Sequence, residues 1–261
     1  MPQKVEDAVA KVLWISSAPR TGSMWTFNVC RELLVKNSFE VLPKIVPQSD
    51  AKMAENYKKA MNENRSYRYY CLKMHNILND NLRNSKIITT IRDPREIVHS
   101  FHRFMQCDFE RAVSAGASVH KYVLAYKKFQ SPVLFVRYED MLDEPMNAIR
   151  EIDAFLELRT SERAMSEINQ KFSKQGVNAI VDKVTKKLQR DLNSGVSVKS
   201  ERMVASPNQR VRAFDVATGF QTGHIAGPND RNWRTAYSLT QKNYMFSALS
   251  EICSELGYSE N

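Results

Sequence analysis

The stretch "SSAPRTGSMWTF", from Ser16 to Phe27, constrains this chain more than any other. A β-like run, Val12–Ser16, leads into it, and a helix-like run follows, with Phe27, Val29, Leu33 and Leu34 recurring at roughly helical spacing. A strand–loop–helix unit of this kind aims unpaired backbone N–H groups and the positive end of the helix at an anion. Gly22 permits torsions and close approaches that a side chain forbids. Arg20 adds a permanent charge in a planar fork suited to phosphate or sulfate oxygens, and Ser23 adds a hydroxyl. The ATP-binding pattern GxxxxGK[ST] is absent: neither its glycines nor its Lys-Ser/Thr pair is present. The loop therefore specifies an anion without specifying an ordinary nucleoside triphosphate.

The rest of the chain supplies alternating partners for that unit. Strands are expected over Lys11–Ser17, Tyr67–Met74, Lys86–Ile91 and Val133–Val136. Helices are expected over Gly22–Lys36, over Ala51–Asn62 with Asp50 as N-cap, from Pro94 onward, over Val119–Phe129 and over Pro145–Leu156. Between the first helix and Asp50, "FEVLPKIVPQSD" reads as a Pro-punctuated connection. Alternation of this kind predicts an α/β fold: a central parallel sheet with helices on both faces. The pattern then changes. Ser161–Asp191 is polar and mostly helical, Leu192–Gly227 is loop-like, and an amphipathic helix closes the chain over Ser238–Leu256. With 261 residues and no Gly/Ser linker, a single domain over 1–261 is expected, with 160–227 as a lid or insertion over the site.

Composition excludes several classes. The sequence has no repeat, no low-complexity tract and no apolar run approaching a membrane span, and its N-terminus lacks the apolar core of a signal peptide. The four cysteines form no CxxC pair and no zinc spacing, which fits reduced thiols in the cytoplasm. The net charge of +9 is concentrated in residues 171–212, which hold ten Lys/Arg against three Asp/Glu. Such a segment suits a polyanionic or sugar-rich ligand, or is a solvated helix face. Beyond Phe172, aromatic residues do not interleave with it, so a nucleic-acid stacking platform is not expected.

Two further strand ends converge on the same chemistry. His75 follows the strand ending "CLKM", and Arg92 follows "KIITTI", with Ser100 eight residues later on the helix that Pro94 opens. In open α/β sheets, ligands gather at the carboxyl ends of the strands, so Arg20, His75 and Arg92 face one crevice.

With these residues placed, the chain resembles the sulfotransferases that use 3′-phosphoadenosine 5′-phosphosulfate (PAPS) and release 3′,5′-adenosine bisphosphate (PAP). "APRTGSMW" is similar to that family's 5′-phosphosulfate loop, Pro-Lys-Ser-Gly-Thr-Thr-Trp. "LKMH" resembles its Lys-Thr-His strand, and "TTIRDPREIVHSFHRF" its 3′-phosphate motif. "FVRYEDM" and "GHIAGPNDRNWRTAYS" resemble a later strand and the late loop over the 3′-phosphate. The matches fall in family order and span residues 12 to 238.

The resemblance implies a P-loop-like sulfotransferase fold and in-line sulfuryl transfer with no metal. His75 would be the general base on an acceptor hydroxyl, or on an amine, with Arg20 and Lys73 as cations beside the sulfuryl group. Thr21, Gly22, Ser23, Met24 and Trp25 would hold the 5′-phosphosulfate and flank the adenine. Arg92 and Ser100 would grip the 3′-phosphate, Tyr138 would touch the adenine, and Thr222, Gly223 and His224 would cover the 3′-phosphate. Three departures stand out: Arg20 where the family has lysine, Met24 where it has threonine, and no Arg-Lys-Gly run in the late loop. The acceptor would be a small molecule or carbohydrate bearing a hydroxyl. Tyr67, Tyr69, Phe101, Phe104 and Phe109 are candidates for an aromatic acceptor pocket. Neither nucleic acid nor membrane insertion is expected, and oligomeric state stays open. Two other readings remain at this point: a P-loop kinase or nucleotide hydrolase, and a non-catalytic binder of nucleotides or anionic glycans.

Overall fold

A computed structural model describes residues 10–63, 67–79, 82, 85–205, 211–223 and 233–259. Its centre is a five-stranded, fully parallel sheet in the order β2-β3-β1-β4-β5. The strands are β1 (Lys11–Ser16), β2 (Glu40–Leu42), β3 (Arg68–Met74), β4 (Ser85–Ile91) and β5 (Val133–Arg137). β1 lies in the middle, buried at every position after Lys11. That is why "VLWIS" reads as an unbroken apolar run rather than an alternation: both faces are covered by helices. Trp14, Phe27, Leu33, Leu72, Ile87 and Ile88 fill the core on the two sides of it.

Helices α1 (Ser23–Lys36) and α2 (Asp50–Met61) precede β3 in the chain, and α3 (Pro94–Met105) and α4 (Phe109–Tyr126) follow β4. After β5 come the short α5 (Tyr138–Asp143), α6 (Pro145–Phe155), α7 (Glu162–Phe172) and α8 (Lys174–Asn193). An antiparallel hairpin, β6 (Met203–Ala205) with β7 (Val211–Ala213), follows. α9 (Trp233–Ala236) and α10 (Leu239–Glu255) finish the chain. Val98, Val113, Trp233, Met245 and Leu249 form a second core beneath α10, packed on α3 and α4. Among the described residues no helix is long and apolar enough to cross a membrane.

Local chemistry sets the helix starts. Pro94 occupies the first turn of α3, where a missing N–H costs nothing, and the Asp93 carboxylate caps the Arg95 N–H at 2.9 Å. Ser238 and Gln241 form a reciprocal capping box on α10.

The structure corrects the sequence reading in four places. Asp50 is not the N-cap of α2: Ser49 takes that role with its hydroxyl, which releases the Asp50 carboxylate for use elsewhere. The Pro-punctuated connection contains β2, three residues paired to β3 and too short to show a period. α4 begins at Phe109, ten residues before the expected helix. The stretch expected to be loop contains the β6–β7 hairpin. Within the expected insertion, α7 packs on α1 and α6, burying Met165, Ile168 and Phe172, and Lys36 and Lys171 pair across to Glu167 and Glu32 at 2.7 and 2.6 Å.

Candidate active site

The strand order reverses direction at β1, with β3 on one side and β4 on the other, and a cavity of about 950 Å³ opens at the carboxyl ends of these strands. Arg20, Gly22, Ser23, Met24 and Trp25 line it from the first loop and α1. Lys73 and His75 line it from the end of β3, Arg92 and Ser100 from the end of β4 and α3, and Tyr138 from the end of β5.

The loop turns into α1 through two left-handed residues, Arg20 (φ 68°) and Gly22 (φ 91°). Thr26 donates its N–H to Gly22 O, so the helix start leaves the N–H groups of Ser23, Met24 and Trp25 without intrahelical acceptors. Thr21 lies outside the cavity wall: its buried hydroxyl donates to Ala18 O at 2.7 Å and meets Thr90 Oγ1 at 2.5 Å, locking the loop to β4. Gly22 is obligatory twice over. A Cβ there would lie 2.8 Å from Tyr138 Cδ2 and 2.9 Å from Met141 Sδ, in addition to the strained φ. Gly22→Ala is expected to destabilise the fold by ~1–3 kcal/mol, the usual cost of a side chain held in such a backbone region. Urea denaturation checks this, and wild-type stability would show that the loop yields.

The cations around the loop are arranged in a chain. Arg20 Nε donates to Ser100 Oγ at 3.0 Å, and its guanidinium lies 4.3 Å from the centre of the Phe104 ring. Arg212, on β7, stacks on the same ring at 4.1 Å. Arg92 Nη1 donates to Arg20 O at 3.0 Å, and its guanidinium covers the Tyr138 ring at 4.0 Å. Arg92 is 3% exposed, yet its Nε and Nη2 have no hydrogen-bond partner among the described residues. Glu96 stands 3.6 Å from Nη2. A buried guanidinium with open donors is costly without an acceptor, and a phosphate supplies several.

His75 lies one residue beyond β3 and is half-buried. Its Nδ1 is 2.9 Å from Ser17 O, a carbonyl that can only accept, so Nδ1 carries the proton and Nε2 holds a lone pair. Lys73 Nζ lies 3.0 Å from Nε2, on the same face of β3 by the two-residue period. Burial and the neighbouring charges of Lys73 and Arg20 push the His75 pKa down to about 3. Burial lowers Lys73 to about 8, with Arg20 adding to the fall and Asp50 opposing it. At neutral pH the pair is therefore a neutral imidazole beside an ammonium.

Main-chain tethers hold that imidazole. Asp50 Oδ2 accepts the His75 N–H at 2.9 Å, and the Tyr122 hydroxyl donates to His75 O. Tyr126 receives the Leu78 N–H at 3.0 Å, which fixes the segment beyond. None of Asp50, Tyr122 and Ser17 emerged from the sequence as a site residue: Asp50 and Tyr122 act on the main chain of another segment, Ser17 acts through its own carbonyl, and none carries a motif.

Other expected residues fall elsewhere. Thr222 and Gly223 are not in the cavity wall: Thr222 Oγ1 serves Thr185 at 2.9 Å and Ala213 N at 3.2 Å, and Gly219, Phe220 and Gln221 line the cavity instead. His224 lies outside the described residues. Phe101 and Phe104 line the cavity, whereas Tyr67 is exposed, Tyr69 packs on Phe39 and Phe109 on Tyr237. In the basic stretch, Lys171 and Arg202 pair with carboxylates, while Lys183, Lys186, Lys187 and Arg190 occupy exposed positions on α8.

The remaining wall is largely apolar, with Val46, Met53, Met141, Phe172, Val177 and Phe214 prominent in it, and carries a polar minority that includes Gln48, Asn169, Ser173 and Lys174. The arrangement can hold a bis-anionic ligand on Arg20, Arg92 and the α1 start, and can present a neutral imidazole to a second molecule in an apolar enclosure.

A family model described as the sulfotransferase domain matches residues 11–194. No curated protein matches the chain in a sequence search. Among solved structures, mouse sulfotransferase SULT7A1 complexed with PAP is similar at 15% identity, covering 95% of this chain and 86% of that one, with a TM-score of 0.61. A retinol dehydratase complex with androsterone and the inactive cofactor PAP has 16% identity, coverages of 94% and 81%, and a TM-score of 0.53. A retinol dehydratase complex with retinol and PAP has 15% identity, coverages of 96% and 83%, and a TM-score of 0.55. At such identities the likeness is one of fold.

Proposed function

The chain belongs to the sulfotransferase domain family and transfers the sulfuryl group of PAPS, and on that premise we propose that His75 is the general base for the hydroxyl of a small, largely apolar acceptor. The kinase, hydrolase and non-catalytic readings give way to family membership. The observation that carries the base reading is the His75 ring: Nδ1–H is committed to Ser17 O, so the lone pair sits on Nε2, at the cavity wall, where it accepts from the Lys73 ammonium at 3.0 Å.

The residues present fit the donor. Arg92, with two open buried donors, and Ser100 would take the 3′-phosphate. The N–H groups at the start of α1 would take the 5′-phosphosulfate, with Arg20 and Lys73 beside it. Trp25, and Tyr138 on the side that Arg92 does not cover, would flank the adenine. PAPS supplies the sulfuryl group and, once bound, negative charge that offsets Arg20 and Lys73. Offsetting those cations raises the basicity of Nε2 in the complex. With the Lys73 ammonium turned from Nε2 to the phosphosulfate, His75 would accept the acceptor's proton at Nε2, and the Ser17 carbonyl would stabilise the imidazolium through Nδ1–H. Lys73 and Arg20 face the charge that develops as the sulfuryl–oxygen bond breaks. Arg20 keeps its charge throughout and donates no proton, which leaves Lys73 as the cation able to titrate. Chain 1–261 is read as one catalytic domain in which α8 and the β6–β7 hairpin cover the cavity.

The acceptor reading rests on the wall. Met24, Met53, Met105 and Met141 are adaptable apolar side chains, better suited to a hydrophobic ring or chain than to a sugar. Transfer of labelled sulfate to 2-naphthol, compared with transfer to an N-acetylglucosamine oligomer, tests this. Transfer to the oligomer alone would overturn it.

The charge states set a pH profile. kcat/KM for PAPS reports the unliganded enzyme. His75, with its pKa near 3, stays neutral through the acidic range and contributes no limb near the ordinary histidine value of about 6.5. The 3′-phosphate of free PAPS itself titrates at about 6, so an acid limb there belongs to the donor. Lys73 must be protonated and titrates at about 8, so kcat/KM should fall as pH rises through that value. That alkaline fall is the expected result, and a profile still flat at about pH 9 would contradict it.

A further inference from the structure

Because His75 lies past the last ladder residue of β3, the sheet no longer holds its main chain; Asp50 and Tyr122 do, one on the N–H and one on the carbonyl. Asp50 has no capping duty, which Ser49 performs, and it lines the cavity together with Lys73 and His75. Its carboxylate enters from α2, on the opposite side of His75 in sequence from the α4 tyrosines. Lys73 and Arg20 are the charges coupled to the His75 ring.

We propose that Asp50 is a positioning residue for the sulfuryl-transfer base: by accepting the His75 N–H it keeps Nδ1–H on Ser17 O and Nε2 turned into the cavity. This rests on the reading of His75 as base. Asp50 acts on His75 through the main chain, while its charge separately holds up the pKa of Lys73.

The test uses the full chain labelled with 15N-histidine and two-bond 1H–15N correlation, with His75 assigned by His75→Gln. The wild-type ring is expected in the Nδ1–H form. Asp50→Ala should give mixed tautomers or a broadened His75 signal. Asp50→Asn, whose amide oxygen still accepts the N–H, should keep the wild-type pattern. If Asp50→Ala does not fold, Asp50→Leu, similar in shape without an acceptor, takes its place. PAP binding, followed by thermal shift, should persist in each folded variant. With 2-naphthol, Asp50→Ala should lower kcat by about ten- to a hundredfold with little change in KM for PAPS, the scale of a small misplacement of a reacting group. In a His75→Ala background it should cost nothing further. A wild-type His75 signal in Asp50→Ala, or an equally disturbed His75 signal in Asp50→Asn, would overturn the proposal and leave the base reading standing. An Nε2–H tautomer in the wild-type protein would overturn the base reading itself.

Discussion

Replacing His75 by alanine is expected to lower turnover by about 10²–10⁴-fold, the range that positioned general-base catalysis supplies. PAP affinity should change by no more than about threefold, because an interaction made in the transition state can be lost without ground-state binding. On the proposed reading the donor would be held by other residues that line the cavity: the α1 start, Arg20, Arg92 and Ser100. Single-turnover transfer of labelled sulfate and a PAP titration measure the two quantities separately. Near-normal turnover with normal PAP binding would remove His75 from the chemistry. Loss of both together would mean that the side chain serves the fold, a real alternative given its contacts to Ser17 and Lys73.

Arg92→Met should weaken PAP binding by about a hundredfold. One or two hydrogen bonds from a charged donor to phosphate, at ~1.5–3 kcal/mol each, account for that loss. The same substitution should leave AMP binding nearly unchanged, since AMP lacks the 3′-phosphate. The wild-type preference for PAP over AMP would then collapse in the variant. Isothermal titration with both nucleotides reads this directly, and an equal loss for the two would assign Arg92 to holding the loop through Arg20 O. The open Nε and Nη2 donors favour the first outcome.

Much of this was legible in the sequence because it rests on local periodicity and on motifs at strand ends. The apolar runs of β1 and β4, Pro94 at the start of α3 and the order of strands and helices all declare a parallel sheet, and His75, Arg20, Arg92 and Ser100 do meet at its carboxyl edge. What stayed hidden depends on distance in sequence. β2 is three residues long and exists through its pairing with β3. Asp50 looked like a helix cap because Asp is common there; that Ser49 caps instead follows from loop geometry no pattern encodes. Tyr122 and Tyr126 sit on a helix whose spacing announces a core face, and their hydroxyls find partners some 47 residues away or more. Thr222 and Gly223 sat next to a motif in sequence, yet the bridge between Phe214 and Gln221 turns the wall over to Gly219–Gln221.

The cavity wall has two origins in the chain. Its main cations, Arg20, Lys73 and Arg92, come from the carboxyl ends of β1, β3 and β4, which the sheet itself fixes in place. Much of its apolar part comes from connecting segments: Val46–Asp50 before α2, the α7–α8 junction and the β6–β7 hairpin. Changes in those connections leave the strand register untouched. Such a layout favours evolutionary drift in what is sulfated while the donor chemistry stays constant. It also marks the connections, rather than the strand ends, as the place to graft a new acceptor preference onto this scaffold.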